Sequence, residues 1–375
     1  MIDPIIKKIR AQIGEDSVSI GIIGDVSFHN ISVPTLEFFE PLTKAIQKTD
    51  FVVANIETVV TNRQLDAAKS AGILLKSQPG FLKILKQLGV NVALIANNHI
   101  DDYGYQGIED TIKYLMEEDI TPFGVKGYDD IYVEKRGISF CMKGVVTPYE
   151  NTDLLVPYGN QLDTINSVNV DENVHLLYFI HGFDELYSIP FPWRVKLLKK
   201  INNKLTPAAL IAGHQHIYQG YSLLDDTPVC WSYGNGFIQI DYHEKVNKNS
   251  SKNCYSVLHF DKKGCYQIDE YYYYFSLNGV QKLKDADLIE VIRRVQQGVE
   301  STENDDKNEK AWISECYLNF NSNRFNRNII VNFLYDIYRW SKLSKRFRYI
   351  HYRLMFLGYL KEKWGINFSK LWKYY

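Results

Sequence analysis

Two histidines separated by a single residue occur in the segment Gly213-His214-Gln215-His216. The apolar residues before them, 208–212, are typical of a buried strand, so both imidazoles are expected where that strand ends. Imidazole is the commonest protein ligand of metal ions. The spacing therefore indicates a metal site at the end of a strand.

Four other apolar segments also end at side chains that can bind a metal. The expected strands are 17–23, 51–54, 90–96 and 174–180, and they are followed by Asp25, by Glu57, by Asn98 with His99, and by His181. Functional residues of α/β sheets gather beyond the carboxyl ends of the strands. Each side chain alone could be a turn, cap or packing residue. Five strand ends that all carry donors favour one shared site.

The chemistry of these donors limits the metals that the site could hold. Carboxylate, amide and imidazole groups without a nearby cysteine suit Mn, Zn or Fe(II), and they do not suit a closed structural zinc site. Two adjacent ions need a bridging carboxylate, and such a pair can hold a phosphoester and activate a water. We therefore expect one or two divalent metal ions (Mn, Zn or Fe).

Amphipathic helices are expected between the strands. Helical spacing of apolar residues occurs at 81–88, at 108–115 and after Pro192, and strands that alternate with helices predict an α/β fold. We expect residues 1–278 to form the domain that carries the site. Residues 279–375 are expected to form a basic, aromatic-rich α-helical C-terminal region, with a polar linker at 300–310.

Composition excludes several classes of protein. Hydrophobic residues make up 45% and charged residues 23% of the chain, which is ordinary for a globular protein. Five cysteines without a CxxC pair, and an N-terminus unlike a signal peptide, predict a cytoplasmic location. No apolar segment is long enough for a transmembrane helix. Serine-hydrolase, P-loop and dinucleotide-binding motifs do not occur.

The C-terminal tail differs in charge from the rest of the chain. Residues 326–375 contain 11 Lys and Arg against Asp336 and Glu362, a net charge of +9, whereas the whole chain carries −1. Trp340, Phe347 and Tyr349 are interleaved with these cations. We favour packing of the tail on the acidic remainder of the protein. The alternative is a peripheral contact with an anionic membrane surface. Binding of nucleic acid is the least favoured alternative.

The motifs, in their residues and in their order along the chain, resemble those of the CapA family of capsule and poly-γ-glutamate synthesis proteins (PGA_cap type). This family belongs to the calcineurin-like metallophosphoesterase superfamily. The resemblance covers roughly residues 17–240. It is carried by Gly24-Asp25, Asn55-Ile56-Glu57, Ala96-Asn97-Asn98-His99, Asp102-Tyr103-Gly104, His181 with Glu185, Gly213-His214-Gln215-His216 and Tyr233-Gly234-Asn235. It implies a four-layer α-β-β-α sandwich, to which the α-helical C-terminal region would be an appendage.

The resemblance also implies a role for each residue of the site. The implied metal ligands are Asp25 and His216 for a first ion, Asn98, His181 and His214 for a second ion, and Glu57 as the bridge between them. His99 would be the general acid that assists the leaving group. The remaining motif residues would contact substrate, namely Asn97, Asp102, Glu185 and Asn235.

Two motifs depart from the family pattern. The superfamily's first block is Asp-x-His, but in Asp25-Val26-Ser27 a serine stands in place of the histidine, and His29 is offset by two residues. The family's His-Trp-Gly-x-Glu block lacks its tryptophan in residues 181–185. The first metal site is therefore the less complete of the two.

These features predict a metal-dependent phosphoesterase or related hydrolase of capsule or exopolymer biosynthesis. Its substrate would be a phosphoester or a capsule polymer, either polysaccharide or poly-γ-glutamate. The alternative is a non-catalytic capsule assembly factor with the same fold, whose basic tail docks on a membrane complex. The serine at position 27 favours this alternative. A nucleic-acid phosphodiesterase is a third hypothesis.

Overall fold

The structure is a computed structural model that describes residues 1–324, except 13, 31, 70–72, 147–169, 239–242 and 244–246. Its strands, in chain order, are β1 (Ile5–Lys8), β2 (Val18–Ser27), β3 (Phe51–Ile56), β4 (Val59–Val60), β5 (Lys76–Ser77), β6 (Val92–Leu94), β7 (Thr121–Phe123), β8 (Asp130–Lys135), β9 (Ile138–Val146), β10 (Val174–His181), β11 (Ala209–Gly213), β12 (Tyr218–Leu224), β13 (Thr227–Tyr233), β14 (Asn235–Ile238), β15 (Lys252–Asp261), β16 (Gly264–Ser276) and β17 (Gly279–Lys282). The α-helices are α1 (Glu40–Gln47), α2 (Gly80–Leu88), α3 (Gly104–Glu117), α4 (Pro192–Leu205), α5 (Asp285–Ser301) and α6 (Asp305–Arg324).

The larger sheet joins the beginning of the chain to its later strands. Its order is β1-β16-β15-β2-β3-β6-β7, with β14 also paired to β2 and β17 paired to β16. The neighbouring strands β2, β3, β6 and β7 are parallel to one another, and β14 is parallel to β2. The carboxyl ends of β2, β3 and β6 therefore lie at the same edge of the sheet.

The smaller sheet has the order β12-β13-β11-β10-β9-β8. Its four inner strands are parallel, and its two edge strands are antiparallel to their neighbours. Strands β10 and β11 are in register through His181 and Gly213. The last residue of β10 therefore lies beside the turn that carries His214 and His216.

Three hydrophobic clusters hold these elements together. One packs α1, α2 and α3 on the larger sheet, one lies between the two sheets, and one packs α4 on the smaller sheet. Alternate residues of β10 serve different clusters, with Leu177 and Phe179 in the second and Tyr178 and Ile180 in the third, as the twofold period of a strand requires. The predicted α/β class is confirmed. The four-layer order stays a prediction, which these clusters support.

Two element boundaries differ from the sequence prediction. Strand β2 was expected to end at residue 23, but it continues to Ser27 because β14 pairs with its last residues. Asp25 therefore lies within the strand. The polar linker predicted at 300–310 is wrong, because α6 begins at Asp305. The side chain of Asn304 accepts hydrogen bonds from the backbone N–H groups of Asp306 and Lys307 at 2.9 and 3.2 Å, which caps that helix.

The chain divides into two compact units, Met1–Glu300 and Ser301–Tyr375. The first unit extends past the predicted boundary at residue 278 because α5 packs on β12: Arg294 Nη1 donates to Tyr218 O at 3.1 Å, and Val295 fills the space beside Gly220. The predicted domain division stays a prediction. In the described part of the second unit, α6 is helical as expected, whereas the basic tail lies outside the described residues. No described helix has both the length and the apolar character needed to cross a membrane.

Candidate metal centre

The six residues predicted as metal ligands lie together where the two sheets present the carboxyl ends of their parallel strands. Asp25 belongs to β2 and His181 ends β10, while the other four follow strands directly or within a few residues. The donor atoms of five of them form two groups that share one member, and Asn98, the sixth, lies beside the second group. The first group contains Asp25, Glu57 and His216, and the second contains Glu57, His181 and His214.

The first group is arranged around the Nδ1 atom of His216. This atom lies 3.1 Å from Asp25 Oδ2 and 3.8 Å from Glu57 Oε2. The donor atoms of the three residues all lie within 4.8 Å of one another. Two carboxylate oxygens and one imidazole nitrogen could hold a single divalent ion.

The second group is arranged around the Nε2 atom of His181. This atom lies 3.3 Å from Glu57 Oε1 and 3.2 Å from His214 Nδ1. Asn98 Oδ1 is 2.8 Å from the same nitrogen. The predicted members of the second site are therefore brought together, and they offer two imidazoles, an amide oxygen and a carboxylate.

Glu57 is the member that the two groups share. Its side chain is fully buried, yet among the described residues neither of its oxygens accepts a hydrogen bond. One oxygen faces His181 and the other faces His216. A buried carboxylate without hydrogen bonds is costly, and cations on both sides would remove that cost. The arrangement fits a carboxylate that bridges two metal ions.

Burial couples the charges of these groups. Burial and the charge of Asp25 raise the pKa of Glu57 well above its usual value. Burial also acts to raise the pKa of Asp25, but the hydrogen bond and charge of His216 lower it. Burial acts against charge on His216, yet Glu57 and Asp25 raise its pKa to about 10. Burial and the neighbouring His214 lower the pKa of His181 well below its usual value, which favours its neutral form.

In each imidazole of the second group, the ring nitrogen that faces away from the other histidine contacts a further side chain. The hydroxyl of Tyr233 lies 2.9 Å from His181 Nδ1, and Glu185 Oε1 lies 3.3 Å from His214 Nε2. Such contacts fix the orientation and the tautomer of a metal-binding histidine. Glu185 was predicted to contact substrate, and the structure places its carboxylate against His214, a predicted metal ligand.

The turn after β11 aims both of its histidines by an uncommon backbone conformation. His214 has φ 92° and His216 has φ 55°, values that residues other than glycine rarely adopt. Gly213 precedes them, and a Cβ at this position would overlap the ring of Tyr233. Backbone strain of this kind is typical of functional sites. Here it directs two imidazoles into different donor groups.

His99, the predicted general acid, is held by Asp102. His99 Nδ1 lies 2.7 Å from Asp102 Oδ2, which also accepts the backbone N–H of Leu75 at 2.7 Å. Lys69 Nζ donates to Asp102 Oδ1 at 2.6 Å. Asp102 is fully buried, so this residue, predicted to contact substrate, has its carboxylate engaged by the chain itself.

Asn97 and Asn235, both predicted to contact substrate, are buried beside the donor groups. The amide of Asn97 donates to Asn55 Oδ1 at 3.1 Å and to Ile56 O at 2.9 Å, while its oxygen accepts from the backbone N–H of His99. Asn235 Oδ1 lies 2.9 Å from His216 Nδ1. The substrate contacts assigned to these residues stay predictions.

His243 lies near the site, although no pattern in the sequence indicates that it belongs there. The ring of His243 lies 4.1 Å from that of His216 and is buried. It stands in a polar segment without apolar periodicity, so nothing in its surroundings indicates a site. His29, the offset histidine of the first block, has its Nδ1 3.2 Å from Lys76 O and its Nε2 2.7 Å from the side-chain amide of Asn30.

The fold and the paired donor groups define a mixed α/β protein that could hold metal ions. The chain belongs to the bacterial capsule synthesis protein PGA_cap family, whose model matches residues 19–239. The CapA resemblance of the motifs is thereby confirmed, and with it a relation to capsule and poly-glutamate synthesis.

Two curated relatives carry the CapA name. The chain is 23% identical over 220 residues to the capsule biosynthesis protein CapA of Bacillus anthracis, a match that covers 52% of each protein. It is 27% identical over 244 residues to the PGA biosynthesis protein CapA of Bacillus subtilis (strain 168), covering 59% of this chain and 63% of the relative. The matched region therefore spans about half to just under two thirds of these relatives' length.

Solved structures with a similar arrangement are more distant. A hypothetical protein from Thermus thermophilus has a TM-score of 0.46 and 15% identity, over 68% of this chain and 99% of that one. A structure described as a novel phosphatase from Mycoplasma pneumoniae has a TM-score of 0.43 and 10% identity, over 68% of this chain and 95% of that one.

Proposed function

We propose that this protein is a metal-dependent phosphoesterase of capsule or exopolymer synthesis that uses two adjacent divalent ions. In this proposal Asp25 and His216 bind the first ion, Asn98, His181 and His214 bind the second, and Glu57 bridges them. The ions are Mn, Zn or Fe(II), which this mixture of oxygen and nitrogen donors suits. Membership of the PGA_cap family supports the link to capsule synthesis.

The observation that carries the proposal is the position of Glu57. Its two buried oxygens face different imidazoles, and neither accepts a hydrogen bond from the described residues. A structural carboxylate would be paired with a donor, and this one lies between two groups of metal-type ligands. A bridging role accounts for its burial, its orientation and its lack of hydrogen bonds together.

The chain's own residues have distinct tasks in phosphoester hydrolysis. When bound, a pair of divalent ions holds the phosphoryl oxygens and supplies an activated water. In this reaction the water would lose one proton to solvent, its oxygen would bond to phosphorus, and the bond from phosphorus to the leaving oxygen would break. His99 gives its proton to that leaving oxygen, and Asp102 holds the imidazole through Nδ1. Tyr233 and Glu185 keep the ligand histidines in place.

Elemental analysis of the purified protein tests the metal centre directly. We expect Mn, Zn or Fe in the wild-type protein, and we expect their loss in the double variant His214→Ala with His216→Ala. The matched control is His29→Ala with His259→Ala, which removes two imidazoles outside the donor groups. Freshly purified wild-type protein without any of these metals, or a double variant that retains them, would overturn the proposal.

The non-catalytic assembly factor is the second candidate, because Ser27 stands where the superfamily has a metal-binding histidine. A panel of aryl phosphate and bis-phosphate esters separates the two candidates. Turnover by the metal-loaded protein that is lost in His99→Ala supports the phosphoesterase. A metal-loaded protein that turns over no member of the panel supports the assembly factor. Membrane docking by the basic tail and a cytoplasmic location remain proposals, and the tail lies outside the described residues.

A further inference from the structure

The first donor group has fewer protein ligands than the second. It contains Asp25, Glu57 and His216, and the residue two positions after Asp25 is Ser27 instead of the superfamily's histidine. His29 does not replace it, because both of its ring nitrogens contact other groups, Lys76 O and the amide of Asn30. A fourth donor for this group must therefore come from elsewhere in the chain or from solvent.

Asn235 presents an amide oxygen at the required place. Its Oδ1 lies 2.9 Å from His216 Nδ1, the same nitrogen that lies 3.1 Å from Asp25 Oδ2. Neighbouring donors on one ion, with metal–donor distances of about 2.0–2.2 Å, stand roughly 3 Å apart. Each of the two oxygens therefore already has that spacing from the His216 nitrogen.

The orientation of the Asn235 amide is fixed by a second contact. Its Nδ2 donates to the backbone oxygen of Ser250 at 2.8 Å, and the reversed amide would place two oxygens against each other. Oxygen and nitrogen of an asparagine are otherwise hard to distinguish, and the hydrogen-bond network decides between them. Ser250 therefore turns the amide oxygen, and not the amide nitrogen, toward the donor group.

The backbone explains why Asn235 reaches the site. Strand β14 is parallel to β2 with Asn235 opposite Asp25, and the N–H of Asp25 donates to Gly234 O at 3.0 Å. A Cβ at Gly24 would overlap that same carbonyl oxygen. Glycine at position 24 thus permits the close approach of the two strands, which places Asn235 next to Asp25.

We propose that Asn235 Oδ1 is a ligand of the first metal ion and takes the place of the missing histidine. This inference rests on the proposed metal centre and replaces the substrate contact predicted for Asn235. The first ion would then have three oxygen donors and one nitrogen, from Asp25, Glu57, Asn235 and His216. The second would have two imidazoles. Because oxygen-rich sites suit Mn²⁺ and imidazole suits Zn²⁺, the first site should prefer Mn²⁺ relative to the second.

Titration of metal-free protein with Mn²⁺, followed by calorimetry and electron paramagnetic resonance, tests this assignment. We expect two Mn²⁺ per wild-type chain with a spin-coupled spectrum. In Asn235→Ala the affinity of one site should fall by more than about 10-fold, the lower end of what loss of an outer contact alone costs. The spectrum should then become that of an isolated ion. Asn202→Ala is the matched control, because Asn202 is also buried and donates to a backbone oxygen, that of Leu224 at 3.2 Å.

A crystal structure of the wild-type protein with Mn²⁺ gives a second measurement that does not depend on how the variant folds. We expect Asn235 Oδ1 at about 2.0–2.6 Å from the first ion, the range of oxygen ligands on divalent cations. An Oδ1 more than about 3 Å from the ion, or an Asn235→Ala variant that binds both ions as tightly as wild type, would overturn the inference and leave the metal centre intact. Wild-type protein that binds no Mn²⁺ would instead overturn the proposed function. A single ion held by Glu57, His181 and His214 would overturn the inference and, with it, the two-ion arrangement of the proposed function.

Discussion

Glu185 and His214 form a contact on the side of the imidazole that faces away from the other histidine of the second donor group. Glu185 Oε1 lies 3.3 Å from His214 Nε2, while His214 Nδ1 lies 3.2 Å from His181 Nε2. A carboxylate on the outer nitrogen makes the inner nitrogen a stronger ligand and fixes the ring. We therefore expect Glu185 to position His214, whereas the sequence predicted a contact with substrate.

Glu185→Gln should weaken metal binding by about 10- to 100-fold, the usual effect of losing an outer carboxylate partner. The amide keeps the size of the side chain but removes its charge. The packing around His214 therefore stays the same, while its imidazole is no longer polarised by a carboxylate. Calorimetric titration with Mn²⁺ measures the change. Glu134→Gln is the control, because Glu134 is exposed on strand β8 and makes the same change of charge.

Equal Mn²⁺ affinities for Glu185→Gln and Glu134→Gln would contradict this positioning role. If KM for a phosphoester also rose in Glu185→Gln while metal affinity stayed constant, the substrate contact predicted from the sequence would be the correct assignment.

Glu57→Gln should stabilise the metal-free protein while it abolishes the paired site. Without metal, the fully buried carboxyl groups of Asp25 and Glu57 have oxygens within 4.8 Å of each other, and burial together with the charge of Asp25 raises the pKa of Glu57, so ionisation of Glu57 opposes folding. The amide cannot ionise and offers a donor to Asp25, so it removes the cost of burying or protonating the carboxyl group, and the free energy of unfolding should rise by about 1–3 kcal/mol, the cost of an unsatisfied buried polar group.

Thermal unfolding in the presence of a chelator, and again with added Mn²⁺, measures both effects. Mn²⁺ should raise the melting temperature of the wild-type protein and of Glu134→Gln, because a ligand that binds only the folded state stabilises it. The same addition should leave Glu57→Gln almost unchanged. A metal-free Glu57→Gln protein that melts below the wild type would show that Glu57 has a structural partner.

The sequence predicted which strand ends meet within one sheet. Parallel strands place their carboxyl ends at one edge of a sheet, so Asp25 and Glu57, at the ends of neighbouring strands, could be assigned to one site from the sequence alone. His181 belongs to the other sheet, and the family resemblance was needed to join it to them. The pairing of β14 with β2 was not predictable in this way, because Asn235 and Asp25 are joined by a contact between distant parts of the chain. The contact of His243 with His216 was also not predictable. His243 is a single histidine in a polar segment, and such a segment has no apolar periodicity that would indicate a site.

The roles of outer contacts also depend on geometry that residue types do not contain. Tyr233 and Glu185 both occur in the family-like motifs, but only the distances to His181 Nδ1 and His214 Nε2 show which nitrogen each one holds. The boundary of β2 was missed because a strand's length depends on its partner, and β14 extends β2 as far as Ser27.

Gly213→Ala should disturb the centre through packing. A Cβ at this position would overlap the ring of Tyr233, whose hydroxyl holds His181 at 2.9 Å. Overpacking of a core costs about 1–3 kcal/mol, and displacement of the ring would also release the imidazole. We expect a lower melting temperature together with weaker Mn²⁺ binding.

Gly80→Ala is the control for that change, because a Cβ there meets only the side chain of Val33, at 3.3 Å. It should leave Mn²⁺ affinity unchanged. If Gly213→Ala lowered stability but bound Mn²⁺ as tightly as the control, the Tyr233 hydroxyl would not be needed to position His181.

Asp102→Asn should lower kcat for phosphoester hydrolysis without loss of metal. Asp102 Oδ2 holds His99 Nδ1 at 2.7 Å, and the carboxylate would stabilise and orient the imidazole that delivers a proton to the leaving oxygen. A positioned general acid contributes about 10²- to 10⁴-fold to a rate, so kcat should fall by a part of that factor. KM and the metal content should change little, because Asp102 belongs to neither donor group.

The matched control for this variant is Asp110→Asn, which also removes a carboxylate paired with a cation, Arg63, at 2.7 Å, on helix α3. Steady-state kinetics with an activated and a poor leaving group provide the decisive comparison. A general acid matters most when the leaving oxygen is basic, so Asp102→Asn should impair the poor leaving group more than the activated one. Equal losses for both substrates would show that Asp102 does not act through proton delivery by His99. A rise in KM with constant kcat would instead support the predicted substrate contact.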